Sequence, residues 1–231
     1  MSPQLVDIFF QIVVFLFAIS VHESAHAWVA WRRGDPTAYM LGRVTLNPIK
    51  HIDPIGTILL PIIAAFTSLP LIGWARPTPV NPRNFKKLIF DDILTTVAGP
   101  VSNILVALGT MICFFLIAHL LPEGRDIIRV AVRAHFGQAN AFSVSSILMP
   151  ICVFLYWTLF LNLLLAVFNL IPIPPLDGSH VIRHFLPSSL LRAYDMIGML
   201  SIVVLMIVGR PVLEFLFNPV LAVFHFILSS F

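Results

Sequence analysis

Long apolar runs dominate the chain, and the few polar positions inside them carry its chemistry. A helix that crosses a bilayer needs about 20 mostly apolar residues. The pattern predicts four such helices, over about 5–31, 93–121, 147–173 and 196–229. The last contains Gly209-Arg210-Pro211, which reads as a kink or as the break of a helical hairpin. A fifth apolar run, 55–74, holds Pro61 and Pro70 and is either re-entrant or spanning. After the first run, Tyr39, Leu41, Val44 and Leu46 around Gly42-Arg43 predict a short β-hairpin within 37–47. Trp74 to Pro82, with prolines at 77, 79 and 82, reads as extended, because each proline biases its predecessor away from helix.

Composition turns this pattern into a class. The chain has 231 residues, 58% hydrophobic and only 11% charged. Soluble domains carry about 25% charged residues, and so few charges cannot cover a soluble surface. The fold class is therefore an all-α polytopic membrane protein, with a single transmembrane domain over 1–231. Disulfide scaffolds, disordered chains and nucleic-acid-binding domains are excluded. The net charge of +3 reads as Lys and Arg of cytoplasmic loops. Cys113 and Cys152 lie in apolar runs and read as buried thiols. Asp7 precedes the first run without a basic segment or a small-residue cleavage site, so that run reads as a retained helix.

Charge also suggests an orientation. Residues 32–54 hold four Lys or Arg, and residues 75–92 hold four more. The positive-inside rule puts both connections in the cytoplasm. Run 55–74 would then be re-entrant, with the N-terminus outside; a tilted full span stays open.

The first run contains His22-Glu23-Ser24-Ala25-His26, an HExxH motif. Positions i and i+4 share a helix face, so both imidazoles can reach one ion. The Glu between them is placed to take a proton from an attacking water. Ionisable residues inside a spanning helix are costly, and each is a functional hypothesis. Interior histidines bonded to neighbouring helices are the bland alternative; three ionisable residues at this spacing favour a metal site. A catalytic zinc usually takes three protein ligands, and none follows on the same helix. Asp177, after Pro172, Pro174 and Pro175 and before Gly178, is the best distant candidate. Its alternative is an ordinary turn aspartate.

These residues resemble the site-2 protease family of intramembrane zinc metalloproteases. His22, Glu23 and His26 match its first motif. Asn169, Pro172, Asp177 and Gly178 match its second, and Gly99-Pro100 with Asn103 match a third feature. The match runs from 22 to 178. The chain looks like a compact prokaryotic member without PDZ or CBS domain, with Leu46-Asn-Pro, His51-x-Asp53-Pro and Gly73-Trp74-Ala. The resemblance implies a three-helix catalytic core from runs one, three and four plus flanking helices. It implies one Zn²⁺ held by His22, His26 and Asp177, Glu23 as catalytic base, and a site toward the cytoplasmic side of the cell membrane. Its substrates would be single-pass membrane proteins or membrane peptides in the lipid bilayer, cut in regulated intramembrane proteolysis. A hairpin at 37–47 would align substrate as an added strand.

Other polar residues have weaker claims. Asn169 is a candidate oxyanion donor or helix-end hydrogen bond. Asn103 reads as a polar contact between runs three and one. His51 with Asp53 is a second-shell pair or a turn and cap. His180 and His184 are i, i+4 on a short helix after Asp177. Arg43, Asn47 and Asn81 are candidates for a polar path to the site. The competing function classes are a membrane metal-ion transporter and a catalytically inactive relative that binds membrane segments. A transporter has no need of Glu23 between the histidines, and the chain shows no paired half-repeats.

Overall fold

The structure is a computed structural model and describes residues 3–59, 74–135 and 146–229. In chain order the helices are α1 (Pro3–Arg33), α2 (Thr37–Met40), α3 (Leu88–Leu120), α4 (Gly124–His135), α5 (Leu148–Asn169), α6 (Asp177–Arg183) and α7 (Ser188–Ser229). Helices α1, α3 and α5 are long and apolar enough to cross a membrane, and they pack on one another. Small residues allow the close approach: Ala18, Ala27 and Ala30 on α1 and Gly99 and Ala107 on α3 are all buried. Phe114, Met149, Tyr156 and Leu159 fill the core beyond them. Amphipathic α4 buries Ile127, Ile128 and Ala131 against this core and turns Arg125, Arg129 and Arg133 outward.

The ends of these helices differ from the apolar runs for local reasons. Helix α3 begins at Leu88, ahead of the run, because Asp91 accepts a bond from Lys87 N–H at 2.8 Å and holds the first turn. The same carboxylate accepts from Arg33 Nε at 2.7 Å, tying the end of α1 to the start of α3. Helix α5 stops at Asn169, since Pro172, Pro174 and Pro175 cannot continue it. Helix α7 is continuous from Ser188 to Ser229 with Pro211 and Pro219 inside it. Of the run 55–74, Pro54–Leu59 forms a π-helical turn. Residues 60–73 lie outside the described residues.

The expected β-hairpin is not formed. Among the described residues there is no strand, and 37–47 instead holds the one-turn helix α2. Gly42 N–H donates to Tyr39 O at 2.9 Å and Arg43 N–H to Ala38 O at 3.0 Å, with Gly42 at φ 67°. That bond pair is a helix C-terminal motif built on a left-handed glycine. The glycine that reads as a hairpin turn is a helix stop. The side chains that follow have no facing strand to alternate against.

Segment 74–81 runs without helix or turn from Trp74 to the Asn81 cap of a 3₁₀ turn, Pro82–Asn84. Asp35, fully buried, holds its far end. One Asp35 oxygen accepts from Thr37 N–H (3.1 Å), Thr37 Oγ1 (2.5 Å) and Asn84 Nδ2 (2.7 Å). The other accepts from Asn81 N–H at 2.7 Å. Burial alone would raise the Asp35 pKa; these donors outweigh it and hold the carboxyl below its usual 3.8. A carboxyl with a lower pKa folded than unfolded contributes stability above pH 3.8, and loses it as the pH falls below that value. We expect Asp35→Asn to be less resistant than wild type to proteolysis at 74–84 at neutral pH. The difference should close below pH 3.8, read by limited proteolysis across pH.

Candidate metal centre

The HExxH histidines lie on one face of α1, against α3. Each has its Nδ1 tied to that helix. His26 Nδ1 stands 2.7 Å from the carbonyl of Thr95. A carbonyl only accepts, so Nδ1 carries the proton. His22 Nδ1 stands 2.6 Å from Asn103 Oδ1. The Asn103 amide is oriented by its other end: Nδ2 donates to Ala18 O (3.2 Å) and to Asn162 Oδ1 (2.8 Å). Asn162 in turn donates to Thr158 O at 2.8 Å. A polar chain thus runs from α5 through α3 to His22, and it places the His22 proton on Nδ1 as well.

Both Nε2 atoms point away from those ties, and they converge. They are 3.1 Å apart. Asp177 Oδ2 lies 3.0 Å from His22 Nε2 and 3.3 Å from His26 Nε2. Tetrahedral zinc with bonds of about 2.0–2.1 Å separates its ligands by ~3.3 Å, so the triangle has the size of a zinc face. His22 and His26 are 6% and 7% exposed. Asp177 Oδ2 is buried with no hydrogen-bond partner. Three lone-pair atoms facing one another repel unless a proton or a metal cation lies among them. The residues present fit a divalent metal with two imidazole ligands and one carboxylate. Among the described residues this is the cluster with metal-ligand spacing.

Two glycines make room for it. A Cβ on Gly99 would lie 2.6 Å from His22 Nε2 and closer still to His26 Nε2. Pro100, beside it, has no N–H to donate and disturbs the α3 ladder at the turn that carries Thr95. Asp177 is the first residue of α6, after Leu176 in extended conformation. A Cβ on Gly178 would meet the carbonyls of Leu170 and Ile171. Gly178 is thus needed for close approach, not for a positive φ; among the described residues Gly34 and Gly42 are the positive-φ glycines. His184 Nε2 bonds Asp92 Oδ2 at 2.7 Å and fastens the end of α6 to α3.

Glu23 lies beside the cluster, and its Oε2 accepts from Thr78 N–H (2.9 Å) and Thr78 Oγ1 (2.7 Å). The other candidates make the following contacts. Asn169 donates to Leu165 O of its own helix at 2.9 Å. His51 donates Nε2–H to Thr45 O at 2.8 Å. Burial lowers its pKa, so the ring stays neutral, and Nδ1 is a buried acceptor without a partner. Asp53 accepts from Ile55 N–H (3.0 Å) and Gly56 N–H (2.7 Å), the cap of the next turn. Asn47 and Asn81 cap the short turns that follow them, and Arg43 is buried on backbone carbonyls. Thr95 carries no sequence signal, since a carbonyl acts there, and Thr78, acting through N–H and hydroxyl, stands in no motif. Asn162 stands out only as a polar residue in an apolar run.

The sequence profile of peptidase family M50 matches residues 10–208. The chain belongs to peptidase family M50, the site-2 proteases. It is 41% identical over 176 residues to "Putative zinc metalloprotease YwhC" of Bacillus subtilis, across 76% of this chain and 68% of YwhC. The Rip2 protein of Mycolicibacterium smegmatis, under the same zinc metalloprotease description, is 29% identical across 83% of this chain and 64% of its own. Rip2 of Mycobacterium tuberculosis is 28% identical across 77% and 58%. The chain thus spans less than two thirds of either Rip2. No solved structure matches it. As an M50 member the chain is a metalloprotease, and its apolar helices make it an integral membrane protein.

Two substitutions test the cluster in this M50 chain. Asn103→Ala should free His22 Nδ1 and lower zinc affinity by about 10- to 100-fold. Gly99→Ala should lose zinc outright with helix content unchanged. Competition against a chromophoric chelator, with circular dichroism, reads both.

Proposed function

We propose that the chain is a zinc-dependent intramembrane endopeptidase that hydrolyses peptide bonds in or near transmembrane segments, as in regulated intramembrane proteolysis. One observation carries this reading. Two imidazole nitrogens and a carboxylate oxygen, 3.0–3.3 Å apart, converge among helices apolar enough to cross a membrane. His22, His26 and Asp177 would hold one Zn²⁺ per chain. When bound, the metal supplies Lewis acidity that polarises the scissile carbonyl and makes water more acidic.

The chain's own groups do the rest. Glu23 takes the proton of the attacking water and passes it to the leaving amine. Its Oε2 is held by Thr78, so Oε1 is the oxygen for that traffic. Asn169 retains one amide N–H beyond its bond to Leu165 and is our candidate donor to the developing oxyanion. Asn103 keeps His22 in the tautomer that offers Nε2. His51 supports the loop beside Glu23 through Thr45. The whole chain acts as one transmembrane domain in a prokaryotic cell membrane. The Lys and Arg of 32–54 and 75–92 orient the site toward the cytoplasm.

The substrates are single-pass membrane proteins or membrane peptides. A helix hides its carbonyls in its own hydrogen bonds, so the scissile segment must unwind first. Replacing Gly, Pro or Asn near the cut by Leu should slow cleavage by about tenfold or more. Equal rates for such a pair of substrates would defeat this idea.

Metal content per chain tests the site without any substrate. Wild type should hold near one zinc and Asp177→Ala clearly less. Glu23→Gln should keep its zinc yet lose about 10²- to 10⁴-fold in cleavage rate. Wild type without zinc after metal is offered would refute the metalloenzyme mechanism.

A further inference from the structure

The Glu23 carboxylate is held by a ring of hydrogen bonds that leaves α1 at one residue and returns at its neighbour. The ring leaves at Ser24, whose hydroxyl donates to Thr45 O and accepts from Thr45 N–H at 3.2 Å. Two residues before Thr45 stands Arg43, 5% exposed. Its guanidinium donates to the carbonyl of Lys50, to Arg76 O at 3.0 Å and to Pro77 O at 2.8 Å. Arg76 N–H returns a bond to His51 O at 2.9 Å. Segment 74–81 is thereby seated on the loop that carries Arg43 and His51. The next residue is Thr78, which donates both N–H and hydroxyl to Glu23 Oε2.

Two features say what the clamp is for. Pro77 and Pro79 have no N–H, so the Thr78 amide is the one backbone donor in that stretch, and it is aimed at Glu23. Arg43 is a buried cation bonded, among the described residues, to carbonyls and to no carboxylate. A guanidinium used this way is a fork that fixes backbone.

We propose that Arg43 is a positioning residue for the catalytic base. Its fork holds 76–77 so that Thr78 pins Glu23 Oε2 and leaves Oε1 free to take the proton. This rests on the zinc and Glu23 roles proposed above. A merely structural Arg43 would support the fold alone, and a purely electrostatic one would act through its charge.

The test uses the full chain in lipid nanodiscs, loaded with zinc and titrated calorimetrically with acetohydroxamic acid. A hydroxamate binds the metal and hands its hydroxyl proton to the neighbouring base. Its affinity therefore reads the placement of Glu23 separately from zinc content. Arg43→Gln should keep its zinc and bind the probe about tenfold more weakly, the size of a lost charge-assisted hydrogen bond. Arg43→Lys should be equally weak, because a single ammonium nitrogen lacks the planar fork that serves Lys50 O from one Nη and Arg76 O and Pro77 O from the other. Thr78→Pro deletes both donors where Pro77 and Pro79 already suit the path, and should match Arg43→Gln. Thr78→Ser should bind as wild type does. Wild-type affinity in Arg43→Gln or Arg43→Lys overturns the clamp. So does loss of zinc in Arg43→Gln with Thr78→Pro unaffected. If Glu23→Gln also binds the probe as wild type does, or wild type holds no zinc, the failure lies in the proposed function and takes the clamp with it.

Discussion

Three lone-pair atoms facing one another in a protein interior are the constraint on which the rest of this structure turns. Two imidazole nitrogens and a carboxylate oxygen repel unless a cation lies among them. They converge only because each histidine has its other nitrogen committed elsewhere. Free rings would rotate. The tie to Thr95 O and the tie to Asn103 prevent it and aim both Nε2 atoms at Asp177. Helix α3 is therefore as much a part of the cluster as the two histidines and Asp177. Gly99 leaves room for the rings, Pro100 disturbs the ladder beside Thr95, and Asn103 passes the constraint on to α5 through Asn162.

The two parts of the cluster lie about 150 residues apart in the chain and are fastened to α3 independently. Consecutive carboxylates at its first turn do this. Asp91 reaches Arg33 at the end of α1, and Asp92 reaches His184 at the end of α6. The histidines and Asp177 thus share one reference helix. Polar groups in an apolar bundle are costly when unpaired, and here nearly every one serves as a tie. Trp157 Nε1 and Gln11 Nε2 even occupy Asp7 near the start of α1.

Outside the bundle, backbone without regular structure is held by side chains rather than by a sheet. Asp35 ties Thr37, Asn81 and Asn84 together, and Arg43 ties Lys50 to the carbonyls of 76 and 77. Alternating prolines suit this arrangement, because they hold a chain extended while removing donors that would need partners. The result is a segment whose single free amide in 77–79 meets Glu23.

The sequence by itself determined the membrane class, the helical runs and the three residues, His22, His26 and Asp177, that the structure brings together. Hydrophobic period and length are local properties, and HExxH spacing is fixed by the pitch of one helix. Asn103 as a contact between α3 and α1 was legible for the same reason: a lone amide in an apolar run needs a partner. The hairpin at 37–47 was misread because a glycine flanked by alternating residues suits a strand turn and a helix stop equally. Only the bonds from Gly42 and Arg43 back to Tyr39 and Ala38 separate them. The partners of the histidines, the link to Asn162 and the grip of Thr78 on Glu23 were decided by tertiary structure alone. Those bonds join residues 55 to 81 positions apart, several through backbone atoms that every residue possesses. No side-chain pattern can announce a carbonyl.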